Sequence, residues 1–170
     1  MASNEEGFDR AKKEGEPALR RALLQIDCDF PPGIIVGVDS ASEICDKRLH
    51  VDLFVHYAKQ NGGGKRGLAR IDLKDPDRID TGNVTVSVDE VDFFKIYDEE
   101  AFSYFLAFRL NDGISKRYNK FRLFGVLDVL SYIDEKKPRI QSENGKRYYL
   151  LSLIDLTESR PFFEVGSTEW

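Results

Sequence analysis

Two alternating apolar runs on either side of a glycine-rich connection constrain this chain more than any other feature. They are Val51-Asp52-Leu53-Phe54-Val55-His56-Tyr57 and Leu68-Ala69-Arg70-Ile71-Asp72-Leu73-Lys74, and the segment between them contains Gly62-Gly63-Gly64. This pattern predicts the two arms of an antiparallel hairpin. Side chains alternate along a strand, so Asp52 shares a face with Phe54 and His56, and Asp72 shares one with Arg70 and Lys74. If the connection closes symmetrically, partner numbers sum to about 124–126, and either even sum sets Asp52, Asp72 and Lys74 on one side of the hairpin.

The remaining elements follow from spacing. Gly15-Glu16-Pro17 ahead of Ala18, Leu19, Ala22, Leu23 and Ile26 predicts a helix over about 17–26, with proline in its first turn. Residues 34–38 read as a short buried strand, and 39–48 are polar and read as irregular. Asp75-Pro76-Asp77 stops the second hairpin arm, and a loop is expected up to Asn83. Ser87 and Glu90 have the form of a capping box, which predicts a helix over about 88–98. The aromatic run 101–110 reads as a strand covered on both faces and ended by Asn111-Asp112-Gly113. A strand over 121–127, a short helix over 128–134 and a last strand over 147–156 complete the order. The expectation is an α/β fold, a mixed central sheet flanked by helices. Residues 1–13 are expected to be flexible, 14–158 to form one domain, and 159–170 to be an irregular tail.

Composition excludes several classes. With 170 residues, 41% hydrophobic and 12% aromatic, the chain can fill one core, which rules out wholesale disorder. No stretch approaches the roughly 20 uncharged apolar residues of a bilayer span, and the first residues lack a secretory apolar segment. A soluble, cytoplasmic protein with no membrane partner is expected. Cys28 and Cys45, the only two cysteines, have neither disulfide-framework nor zinc spacing. A formal charge of −5, from 25 basic and 30 acidic residues, argues against coating nucleic acid with bulk positive charge. Local basic groups remain at Lys59, Lys65, Arg66, Arg70 and Lys74, and at Lys116, Arg117, Lys120 and Arg122. Either group reads as solvated surface or as a phosphate-contacting rim.

Two carboxylates brought together on one hairpin face repel unless a counter-charge is present, and a divalent cation would supply it. Asp52 and Asp72 holding Mg²⁺ or Mn²⁺, with Lys74 as a compact positive charge beside them, suit phosphodiester hydrolysis. Lys65, Arg66 and Arg70 are then the candidate substrate contacts. His50 and His56 lie close by without a zinc partner spacing.

These residues resemble the PD-(D/E)XK nuclease superfamily, whose motif is an acid at the start of one strand and an acid-x-Lys triplet on the next. Asp52 in His50-Val51-Asp52-Leu53 and the triplet Asp72-Leu73-Lys74 are similar to that motif, and the helix and apolar strand downstream follow the family's order. The resemblance spans roughly residues 14–133. It implies a restriction-endonuclease-like core, a Mg²⁺-dependent nuclease, and DNA rather than RNA as substrate. It also implies Glu16, in Gly15-Glu16 ahead of Leu19 and Leu23, as a third carboxylate. The first acid lacks the family's preceding proline, and Asp39 competes with Asp52 for that position. With no separate recognition domain evident, specificity would come from loops, a homodimer partner or an accessory subunit. The alternative is a non-catalytic α/β binding module on the same scaffold, since fold does not fix function. A third reading, an acidic mimic of nucleic acid, rests on the acids of 75–100.

Overall fold

The computed structural model describes residues 11–25, 28, 30–59, 63–74, 82–96, 103–111 and 117–166. The expected turns at 75–77 and 112–113, the frayed start, Gly62 and Lys116 lie outside the described residues. After a wide turn, Ala11–Gly15, helix α1 spans Glu16–Leu23. Then come β1 (Ile34–Ser40), α2 (Glu43–Leu49), β2 (Leu53–Ala58), β3 (Arg66–Lys74), β4 (Asn83–Ser87) and α3 (Val88–Ile96). The chain continues through β5 (Tyr104–Asn111), β6 (Arg117–Gly125), α4 (Val126–Lys136), β7 (Ile140–Glu143), β8 (Lys146–Ser152), α5 (Leu153–Ser159) and β9 (Phe163–Gly166).

Six strands form the central sheet in the order β1-β2-β3-β5-β6-β9, with β3 and β5 parallel and the other pairs antiparallel. The expected mixed sheet flanked by helices is the observed architecture. Leu53 pairs with Ile71 and Val55 with Ala69, so the hairpin register sums to 124, within the expected range. Opposite Gly67 the Tyr57 ring lies where a Cβ would stand, so this arm accepts only glycine without moving the ring.

The two faces of the sheet are covered differently. Ile71, Leu73, Ala107 and Leu123 point to one face, where α1 packs Ala18, Leu19, Ala22 and Leu23 on them. Leu106, Phe108 and Phe124 point to the other and meet α3, α4 and a second sheet of order β4-β8-β7. Each fully buried aliphatic side chain contributes about 2 kcal/mol, which drives both layers together. Phe30, with Phe163 edge-on and Phe105 tilted against it, closes the α1 face.

Five expectations need correction. Strand β1, read as buried, is an edge strand with Ile34 and Val36 exposed and Val38 buried. Residues 43–49, read as irregular, form α2, whose Ile44 and Leu49 are exposed. Asn83 begins a strand and does not end a loop: Val84 and Val86 alternate inward between Asn83, Thr85 and Ser87. The final strand stops at Ser152, whose hydroxyl accepts from the Asp155 N–H and starts α5 inside the segment read as strand. Residues 163–166, read as irregular tail, pair with β6 as an edge strand. The β7–β8 hairpin, turning on Asn144 and Gly145 with φ of 50° and 76°, was not expected either.

Candidate functional site

Asp52 precedes the first residue of β2, and backbone bonds pin it on both sides. Its carbonyl accepts from Ala41 N–H at 2.8 Å and its N–H donates to Ile71 O at 2.9 Å. The turn that delivers it passes through His50 in the left-handed region, φ 51°. A non-glycine residue there persists only where its surroundings hold it. Tyr104 on β5 does so by donating its hydroxyl to the carbonyls of Leu49 and His50, the latter at 2.6 Å. The Asp52 carboxylate then reaches across the hairpin, where Oδ2 accepts from Leu73 N–H at 2.6 Å.

Asp72 and Lys74 project from the same face of β3, away from α1. Lys74 Nζ lies 2.8 Å from Asp72 Oδ2 and 2.5 Å from Glu90 Oε1. Glu90 comes from the first turn of α3 and also meets His50 Nδ1 at 3.3 Å. Asp52, Asp72 and Glu90 are buried at 8, 5 and 8% exposure. Two buried carboxylates, Asp72 and Glu90, therefore share one ammonium, with Asp52 beside Asp72. Asp72 Oδ2 is near Lys74 but off the direction of a hydrogen bond, and Glu90 Oε2 is buried with no hydrogen-bond partner.

The charges settle unequally. Burial pushes the Asp72 carboxyl well above its ordinary range; Lys74 opposes this, while Glu90 and Asp52 push it further up. Burial would also raise Glu90, but the Lys74 charge and the His50 contact hold it down to about 2. For Lys74, burial alone would lower the ammonium, and Asp72 and Glu90 together outweigh burial and raise it. Lys74 is thus locked in its charged form, with Glu90 as its ionised partner.

Sequence reasoning missed Glu90 as a site residue because it reads as half of a capping box. The Ser87 hydroxyl does accept from Glu90 N–H at 3.1 Å. The Glu90 carboxylate, however, turns to Lys74 and His50. A signal existed: β3 and β5 are parallel, so the crossover between them must start at the Lys74 end of β3, and the first turn of its helix falls there.

The other expected site residues are dispersed. Glu16 is buried at the start of α1, the helix that covers the face opposite Asp72 and Lys74. Arg70 lies on the Asp72 face, between Phe54 and Tyr104 in register. Arg66 and Lys65 are exposed at the far end of the hairpin, and six strand residues from Arg66 to Asp72 span about 20 Å. Asp39 on β1 is bound to His56 Nε2 at 2.9 Å, both exposed. Arg122 is held by Glu164 and Thr157 beneath Phe162, a structural tie between β6, α5 and β9.

Among the described residues, no three histidine, cysteine or acidic side chains converge as a ready-made metal centre, since Lys74 stands between Asp72 and Glu90. The donor type still suits a hard cation: oxygen ligands only, with Asp72 Oδ2 and Glu90 Oε2 lacking hydrogen bonds. No helix among the described residues is long and apolar enough to cross a membrane.

Fold and site together define an α/β protein with a buried acid–lysine cluster where a mixed sheet meets its crossover helix. No protein-family model matches the chain, and no curated protein matches it. Among solved structures, the chain is similar to a nuclease from a fusselovirus, at 14% identity and a TM-score of 0.45. The match covers 69% of this chain and 66% of that one.

Proposed function

We propose that this protein is a metal-dependent phosphodiesterase of the PD-(D/E)XK type acting on nucleic acid, DNA rather than RNA. The single observation that carries the reading is the break in β3. A central strand covered on both faces is ordinarily a continuous apolar run, and β3 instead places Asp72 and Lys74 in its covered interior beside Asp52 and Glu90. Buried charge of this kind is destabilising relative to apolar side chains of the same size, so stability does not account for it.

In this reading Asp52 and Asp72 hold Mg²⁺ or Mn²⁺, which when bound polarises a phosphate and acidifies a water. Asp52 is aimed by the Leu73 N–H, and Asp72 by its place in the ladder. Lys74, kept charged by its two acids, offers an ammonium to the negative charge that develops on the phosphoryl oxygens. Glu90 takes the role of third carboxylate that the sequence assigned to Glu16. It holds Lys74 in place until substrate enters. Arg70, on the same face one pair further along the hairpin, is the candidate phosphate contact. Lys65 and Arg66 are too far along the strand for that task.

The test is incubation of the purified protein with plasmid DNA and with structured RNA, in Mg²⁺, Mn²⁺ or EDTA. Cleavage that requires metal and disappears in Asp72→Ala and Lys74→Ala supports the reading. Cleavage that survives both changes refutes it. One observation favours a second reading, a non-catalytic module: Lys74 is clamped on both sides, as a purely structural counter-charge would be. Calorimetric titration with Mn²⁺ separates the two, because only the hydrolase requires metal binding that vanishes in Asp52→Asn.

A further inference from the structure

The second sheet brings an aromatic side chain to the edge of the acid–lysine cluster on the face where apolar residues are not needed. On β8, Tyr149 and Leu151 pair with Val86 and Val84 and turn toward the core. Alternation therefore sends Tyr148 to the opposite face, in register with Ser87 on one side and Gln141 on the other. Ser87 is the residue whose hydroxyl caps Glu90, so the Tyr148 phenol stands beside the first turn of α3. Its hydroxyl is raised first by burial, then by Glu143 and Glu90, with Lys74 opposing. Tyr148 is partly exposed, and exposed Arg139 and Lys146 lie along the same hairpin. Arg139 accepts from Leu150 N–H at 2.9 Å, which sets it level with Leu150 and hence on the Tyr148 face; Lys146, two residues before Tyr148, shares that face.

We propose that Tyr148 is a nucleobase-stacking residue, and that the β7–β8 hairpin is the arm that holds an unpaired strand against the cluster. Arg139 and Lys146 contact the phosphates on either side of the stacked base. A flat aromatic ring beside a phosphate-binding site recognises a base only when the face of that base is free, as in a single strand or a splayed end; inside a duplex that face is covered by its neighbours. The preferred substrate is therefore single-stranded or frayed nucleic acid. This inference rests on the hydrolase reading for the role of the cluster, but it is read out by binding.

The experiment uses the full chain in EDTA, with a single-stranded oligonucleotide and its duplex as probes. In a Trp170→Phe background, Tyr148→Trp supplies a local fluorophore. Its emission should be quenched by the single strand and little changed by the duplex. Tyr148→Ala should weaken single-strand binding about tenfold and leave duplex binding unchanged. Tyr148→Phe, which keeps the ring, should bind as the parent does, and Arg139→Ser should weaken binding and flatten its salt dependence. Equal binding by the parent and Tyr148→Ala, or equal losses in Tyr148→Ala and Tyr148→Phe, overturns the proposal. Tyr148-dependent binding by a protein that cleaves nothing overturns only the hydrolase reading. Metal-dependent cleavage with binding indifferent to Tyr148 overturns only the stacking role.

Discussion

Alternate side chains of β3 enter two differently built faces of one sheet. Ile71 and Leu73 pass into the layer under α1, where they are surrounded by Leu19, Leu53 and Ala107. Asp72 and Lys74, one residue on in each case, enter the other face beneath α3, with Leu106 and Phe108 as strand neighbours and Asp52 and Glu90 as charge partners. The first face is held by area removed from water, which is non-directional and tolerant of repacking. The second also buries apolar side chains, Leu106, Phe108 and Phe124 among them, but at β3 it holds one ammonium between Asp72 and Glu90, whose contribution depends on each partner's presence and on pH. The comparison teaches that one strand carries two kinds of side chain: Ile71 and Leu73 stabilise it by burial, while the buried charges of Asp72 and Lys74 work against its stability.

Removing the ammonium should separate the faces most sharply. Lys74→Met leaves Asp72 and Glu90 buried without the ammonium between them and should destabilise the protein by about 3–5 kcal/mol at pH 7, read by urea denaturation, with any cleavage abolished. Ile71→Ala should come next, at about 3 kcal/mol from lost burial and a residual cavity. Measured well below its melting temperature, that variant should keep its metal affinity. Equal loss of metal binding in the two variants would show that the faces are not separable.

Glu90→Gln should cost about 2 kcal/mol at pH 7, since it breaks the contacts to Lys74 and His50. Its folded pKa is lowered to about 2 from an ordinary 4.5, so the stability it contributes is present above 4.5 and fades as pH falls toward 2. The gap between Glu90→Gln and the parent should therefore close on acidification, while the gap for Ile71→Ala stays constant. Asp72→Asn should move the other way, stabilising the metal-free protein by about 1 kcal/mol at pH 7, because a buried carboxyl that resists ionisation is replaced by an amide that carries no charge. The same variant should lose cleavage. Arg66→Ser, some 20 Å from Asp72 by strand length, should change stability and cleavage least, with stability within about 0.5 kcal/mol of the parent.

What was legible in the sequence was local. A two-residue period and a glycine-rich connection narrowed the hairpin register to sums of about 124–126, and either even sum puts Asp52 on the face of Asp72 and Lys74; the observed sum is 124. Helices α1, α3 and α4 were legible because each buries an apolar stripe. By contrast, α2 exposes Ile44 and Leu49 and shows no apolar period. The β4 alternation and the Asn144-Gly145 turn are weak signals, because five- and four-residue strands are short against the surrounding polar text. Their pairing into a second sheet was not readable at all, since β4 and β8 are far apart in the chain.

The sequence by itself determined that Asp72 and Lys74 share a face and that Asp52 joins them for either even hairpin sum, because alternation and turn symmetry act over a few residues. Only the tertiary structure decided which third carboxylate joins them. The parallel crossover carries α3 back to the end of β3 and delivers Glu90 to Lys74, while α1 carries Glu16 to the other face. That choice depends on how layers of the fold are stacked to bury their apolar sides, and no local pattern around Glu16 or Glu90 encodes it.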